Sequence, residues 1–275
     1  MIELAEAYLR TRDVSKGYAA NVRRTAKSMQ AAGITPANMN AERVSHWLSS
    51  LRVGLSATSV ANSRRMALTL WRYGFDCGLI AAPCRGVGQI KVARKPTRAW
   101  TRSQLTEAVK VLPEKFSGTL KSGCPRALFL EAWFRLGVET GLRFGDMHEL
   151  AASALCSGGI AVTASKTGLP VVRPVSEKTM AQLSTLARMS PDGSVFSWAL
   201  SRRHTFCLIR DAFKALGLGD GRSQWLRRSA ATMVEMAHPG TAGAFLGHAT
   251  PGLADRHYID HSQLMDRLPA PPPLE

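Results

Sequence analysis

Five short stretches in the second half of the chain carry side chains able to act on a charged substrate. They are TGLRFGDMHEL at 140–150, with Arg143 and Asp146; SKTG at 165–168, with Lys166; QWLRRSAAT at 224–232, with Gln224 and Arg227; LGHAT at 246–250, with His248; and RHYID at 256–260, with Tyr258. A guanidinium is planar, permanently charged and donates through a fixed fork. Lysine and histidine pass protons, and a tyrosine phenol becomes a nucleophile once its ionisation is assisted. Tyr258 is the only tyrosine after Tyr73. Taken singly, each residue has an ordinary reading. Arg143 is then a helix-start residue, Lys166 a hairpin-turn lysine, Arg227 surface charge, His248 a half-buried histidine and Tyr258 an interface aromatic.

The order and spacing of the five stretches are more specific than any one of them. The series resembles the tyrosine recombinases, the phage-integrase family of DNA strand-exchange enzymes, over nearly the whole chain. The resemblance implies that Arg143 and Arg227 are the two catalytic arginines, with Asp146 in support of the first. It also implies that Lys166 is the lysine of a β-hairpin, His248 the last His/Trp position, and Tyr258 the nucleophile. The family's HxLR motif reads Gln224-Trp-Leu-Arg227 here, so glutamine stands in place of a histidine. The interval from His248 to Tyr258 is one residue longer than is usual. The fold implied is mainly α with a small β-hairpin or sheet in the catalytic domain (α+β), a two-domain DNA clamp.

The chemistry of these side chains suits that assignment. A phosphodiester repels nucleophiles, and two guanidinium forks can neutralise the charge growing on its nonbridging oxygens. An ordinary phenol is only about 0.1% ionised at pH 7, a deficit that cationic neighbours offset. The leaving 5′-oxygen needs a proton, which a hairpin lysine can supply. A phosphotyrosine link is itself a phosphodiester, so no ATP is required and no GxxxxGK[ST] loop is present. No cofactor and no metal are expected. His257 and His261 stand four apart, but with no third ligand evident they read as an exposed helix face.

Composition narrows the class further. The 275 residues are 45% hydrophobic and 20% charged, enough for one large or two ordinary folded domains. The five cysteines are scattered with no CxxC pair, which fits a reducing cytoplasm. The N-terminus is not a signal peptide and no stretch approaches a membrane span, so a cytoplasmic, nucleoid-associated protein is expected. Net charge is +16. Residues 1–99 carry 16 basic and 5 acidic residues, a net of +11 that favours a polyanionic partner.

The elements that must carry these residues follow from periodicity. Residues 1–84 read as helices only, a core-binding domain. After Ser15, Tyr18, Val22, Thr25 and Met29 share one helical face, with Lys16, Arg23 and Lys27 opposite. From Ser56, Val60, Ala67, Trp71 and Phe75 share a face, with Asn62, Arg65, Thr69 and Arg72 opposite. Lys16, Arg23, Lys27, Arg65 and Arg72 are therefore expected to contact DNA. Residues 85–99 read as a basic linker, and Thr101 to Gln104 as a capping box opening a new domain at 100–265. That domain is expected to hold helices at 124–138, 143–152, 176–189, 198–216, 222–236 and 240–247. Two strands joined at Thr167-Gly168 lie between them. Residues 266–275 form a Pro-rich tail.

The expected function is site-specific cleavage and rejoining of double-stranded DNA through a 3′-phosphotyrosine intermediate, in the integration or excision of phage or mobile-element DNA. The resemblance implies a homo-tetramer on two DNA sites, and an accessory DNA-bending or directionality factor is compatible with it. The chain opens at the core-binding domain, so no arm-binding domain is expected. Ile259, Leu264 and Leu268 are expected to anchor the tail on a neighbouring protomer. Two alternatives stay open: a catalytically impaired DNA-binding protein of the same fold, and a type IB-like topoisomerase.

Overall fold

A computed structural model describes residues 1–93, 96–165, 168–247, 253–260 and 263. The chain forms two compact units, Met1–Lys95 and Pro96–Glu275.

The first unit contains α1 (Ile2–Arg10), α2 (Lys16–Ala31), α3 (Ala41–Leu51) and α4 (Ala57–Asp76). The starts of α2, α3 and α4 are fixed chemically. The side chains of Ser15, Asn40 and Ser56 each accept the backbone N–H three residues on, satisfying a donor that the helix itself leaves unpaired. On α2, Val22, Thr25 and Met29 are buried, while Lys16, Arg23 and Lys27 are exposed. On α4, Val60, Ala67 and Trp71 are buried, and Asn62, Arg65 and Arg72 are exposed. Phe75 departs from expectation and is 42% exposed. Ile80 folds back onto Gly74 and closes that end of the core instead. The segment after Cys84 has no regular structure, yet Val87 and Ile90 pack against this core and Arg64 Nη2 donates to the Val87 carbonyl at 2.7 Å.

The second unit opens with the Thr101–Gln104 capping box at the start of α5 (Arg102–Lys115). There follow α6 (Arg126–Thr140), α7 (Phe144–His148), β1 (Leu155–Cys156), β2 (Gly159–Thr163) and β3 (Pro170–Pro174). The remaining elements are α8 (Glu177–Met189), α9 (Arg202–Ala215), α10 (Ser223–Ala237), α11 (Ala242–Phe245) and α12 (Leu253–His257). The sheet is antiparallel in the order β1-β2-β3, with Thr163 opposite Pro170 next to the hairpin turn. Strand β1 and helix α12 are too short to leave a periodic signal, and periodicity missed both. Helix α9 begins later than expected because Ser201 caps it through the His204 N–H. The core gathers Phe129, Trp133, Phe134, Phe196 and Phe213. Within it α6 and α10 pack closely at Gly137, where a Cβ would lie 2.7 Å from Leu226 Cδ1. That contact brings the C-terminal end of α6 beside the first turns of α10. No helix among the described residues is long and apolar enough to cross a membrane.

Candidate active site

Arg227 lies on α10 and is 4% exposed. Its Nη1 donates to the carbonyl of Gly141 and its Nη2 to that of Leu246, the latter at 2.9 Å. Both carbonyls belong to helix ends. Gly141 terminates α6 in the left-handed conformation at φ 60°, and Leu246 follows α11. The glycine is required twice over. It takes the positive φ that other residues resist, and a Cβ there would sit 2.8 Å from Phe245 Cε1. Two carbonyls thus fix the guanidinium plane, and each donating nitrogen carries a second N–H.

Tyr258 follows α12 directly, its N–H bonded to the Ala254 carbonyl at 2.8 Å. The Arg227 guanidinium stands over its ring, 5.2 Å from the centroid. Burial pushes the Arg227 guanidinium down to about 10, and neighbouring Arg143 pushes the same way; Tyr258 and Asp146 oppose them. Arg143, Asp146, Arg227 and Tyr258 therefore share one electrostatic neighbourhood.

Arg143 caps α7, and its Nη1 lies 4.0 Å from Asp146 Oδ2 one turn later. Asp146 has a nearly fully buried side chain, and its Oδ1 accepts from both the backbone N–H of Ser165 (2.9 Å) and the Ser165 hydroxyl (2.6 Å). One carboxylate thus ties α7 to the end of the β2–β3 hairpin. Gly168, at φ 68°, donates its N–H to the Ala164 carbonyl at 2.8 Å. Lys166 and Thr167 lie outside the described residues, as do His248 and His261. Gln224 is exposed in the first turn of α10, one turn before Arg227 and on the same helical face.

Three residues of this neighbourhood were not singled out in the sequence. Ser165 was hidden by its ordinary identity, although it adjoins Lys166. Arg228 follows Arg227, and burial lowers its guanidinium against the opposing influence of Tyr258. Arg173 on β3 donates to the Phe245 carbonyl and lies 5.4 Å from the Phe245 ring centroid. Arg173 and Arg227 therefore grip the successive carbonyls of Phe245 and Leu246, two residues ahead of His248. A lone arginine in a strand gives no signal of such a role.

After Tyr258, the described residues Ile259, Asp260 and Gln263 make their contacts within the second unit. Ile259 is buried with Ala231, Ala242, Leu246 and Ala254, so it is not an anchor for a neighbouring protomer. Its apolar surface is consumed where it stands. Asp260 accepts the Ala99 N–H at 2.8 Å, and its own N–H reaches Thr232 Oγ1 at 3.0 Å. Leu264, Leu268 and the tail at 266–275 lie outside the described residues.

In the first unit, Lys16, Lys27, Arg65 and Arg72 are exposed. Arg23 is also exposed, but its guanidinium is forked onto Glu6, Nε to Oε1 at 2.7 Å and Nη2 to Oε2 at 2.9 Å.

This architecture is the tyrosine recombinase fold. Among solved structures, a lambda integrase dimer bound to a COC′ core site matches with a TM-score of 0.74 at 18% identity, covering 99% of this chain and 80% of that one. XerH site-specific recombinase bound to palindromic difH substrate, in a post-cleavage complex, matches at 0.70 and 14% identity, covering 90% and 78%. The Tn1549 transposon integrase in complex with circular intermediate DNA matches at 0.69 and 11% identity, covering 98% and 99%. No protein-family model and no curated protein sequence matches the chain.

Proposed function

We propose that the chain is a site-specific DNA recombinase that cleaves and rejoins strands through Tyr258. The observation that carries this reading is the buried Arg227 guanidinium held over the Tyr258 ring, with Arg143 and Asp146 close enough to act on its charge. In the proposed reaction the Tyr258 phenol releases its proton to solvent and its Oη forms a bond to the scissile phosphorus as the P–O5′ bond breaks. This gives a 3′-phosphotyrosine link and a 5′-oxygen that takes a proton from Lys166. Reversal by a 5′-hydroxyl of another strand rejoins the DNA with the number of phosphodiester bonds unchanged. Arg143 and Arg227 would neutralise the nonbridging oxygens, each such donor being worth roughly 3–4 kcal/mol on mutational scales. His248 and Gln224 would add hydrogen bonds to the same phosphate. Asp146 would hold Arg143 and, through Ser165, the hairpin that carries Lys166.

The first unit would hold the duplex beside the cleavage point, which accords with its net positive charge. Exchange between two sites would take four protomers, and phage or mobile-element DNA is the natural substrate of such chemistry. The test is covalent trapping on suicide duplexes carrying nicks beside candidate cleavage points. Wild-type protein should form adducts at fixed positions, whereas Tyr258→Phe, which deletes one oxygen, should bind DNA normally and form none. Adducts at unchanged yield in Tyr258→Phe would remove the nucleophile from this reading, and adducts at arbitrary positions would favour a topoisomerase.

A further inference from the structure

The sequences Asn21-Val-Arg-Arg24 on α2 and Asn62-Ser-Arg-Arg65 on α4 repeat one pattern, Asn-x-Arg-Arg. The structure uses the pattern the same way in both helices. The first arginine turns back onto the protein, Arg23 to Glu6 and Arg64 to the Val87 carbonyl. The second is exposed and lies against the asparagine one turn earlier. Arg24 Nη1 reaches Asn21 Oδ1 at 3.3 Å, and Arg65 Nη2 reaches Asn62 Oδ1 at 3.3 Å. Both Asn–Arg pairs line a single groove of about 290 Å³ between α2 and α4, together with Ser28, Ser59 and Ser63. No carboxylate lines it among the described residues.

We propose that these two pairs read base edges in the major groove of duplex DNA, each arginine selecting a guanine, and that together they set the sequence preference of the chain. The inference rests on the DNA-directed reading above and adds which residues carry specificity. An arginine fork matches the O6 and N7 acceptors of guanine, the commonest specific contact in the major groove. An asparagine carbonyl against one edge of the guanidinium restricts its rotation, so less freedom is lost when the fork docks. A phosphate contact positions the protein on the duplex but carries no sequence information. The plain charges flank the pairs along each helix. Lys16 and Lys27 stand on either side of the Asn21–Arg24 pair, and Arg72 lies two turns beyond Arg65. That arrangement, readers in the middle with phosphate-seeking cations beyond them, suits a helix lying in a groove about 12 Å wide.

The test is selection of bound sequences from a randomised duplex library with the full chain and its Arg24→Gln and Arg65→Gln variants. Both substitutions are at exposed positions, and a glutamine amide matches the N6 and N7 edge of adenine and not the O6 and N7 edge of guanine. Wild type should enrich a motif containing two fixed guanines. Each variant should lose its preference at one of them, by roughly 5- to 150-fold, while total DNA binding persists. Asn21→Ala and Asn62→Ala should weaken the same two positions in parallel, and Lys27→Ala should lower affinity with the motif intact. The same motif at the same strength in both arginine variants would overturn the inference and leave the recombinase reading standing. Failure of the wild type to enrich any motif would overturn both.

Discussion

Arg24 and Arg65 in the first unit stand in water with one neutral hydrogen bond each to an asparagine. Arg227 in the second unit is 4% exposed and bound to two helix-end carbonyls. The same side chain is thus used in opposite ways. An exposed guanidinium costs little to hold, and the asparagine beside it narrows its rotation without taking it out of solvent. A buried one is expensive, and the cost is visible in how far burial lowers its proton affinity, to about 10. What that cost secures is a positive charge already in place and needing no rearrangement when negative charge develops nearby. Under the proposed function, recognition and reaction draw on these two different properties.

The contrast can be broken most sharply at Arg227. Arg227→Lys keeps the charge but cannot span the Gly141 and Leu246 carbonyls together. Cleavage measured in single turnover should fall by roughly 100- to 1000-fold. The unfolding free energy from urea titration should also drop, by about 1–3 kcal/mol for a buried carbonyl left without its donor, and the urea midpoint with it. The same change at Arg24 should leave the urea midpoint unchanged. Equal urea midpoints for both variants and the wild type would erase the distinction between the two units.

Asp146→Ala should have the next largest effect. It removes the acceptor of two hydrogen bonds from Ser165 and the carboxylate beside Arg143, at about 1–3 kcal/mol of stability. Cleavage should fall roughly tenfold or more, because the loss acts on position and not on a contact with the phosphate. Hydrogen exchange across residues 160–175 sharpens the point. Protection there should fall in Asp146→Ala and stay unchanged in Arg24→Lys.

The smallest effect is expected at His148, which is 6% exposed and stacked on Phe144 with ring centroids 6.0 Å apart. Burial holds its imidazole below the ordinary histidine value; Arg202 pushes the same way and Glu149 opposes. As pH falls below about 6.5, the unfolded chain takes up a proton before the folded one does, so stability declines across that window and is level above it. Denaturant midpoints between pH 7.5 and 5 should show this slope in wild type and lack this component in His148→Phe. An identical slope in both would show that His148 titrates no differently folded than unfolded.

The sequence was most legible where a local rule acts alone. Ser15, Ser56 and Thr101 cap helices as their spacing implies, because a cap depends on three or four consecutive residues. The buried faces of α2 and α4 follow from period alone up to Phe75. There a residue beyond the helix, Ile80, takes over the core position, and no periodicity within α4 could report it. Arg143, Arg227 and Tyr258 are candidates by motif order, and the structure brings these three into one neighbourhood. Ser165 and Arg173 were illegible because their roles arise from contacts 19 and 72 residues away in the chain. Gln224 retains its expected place one turn before Arg227, without a contact that assigns it a role.

The bond between the Ala99 N–H and Asp260 joins residues 161 positions apart, and Gln263 Nε2 adds a second tie to the Ala99 carbonyl at 2.9 Å. The polypeptide is therefore moored, where it enters the second unit, two residues from Tyr258. Tension on the preceding linker meets this mooring before it meets the buried Trp100. A tug on the incoming chain is delivered first to the backbone two residues from the Tyr258 phenol.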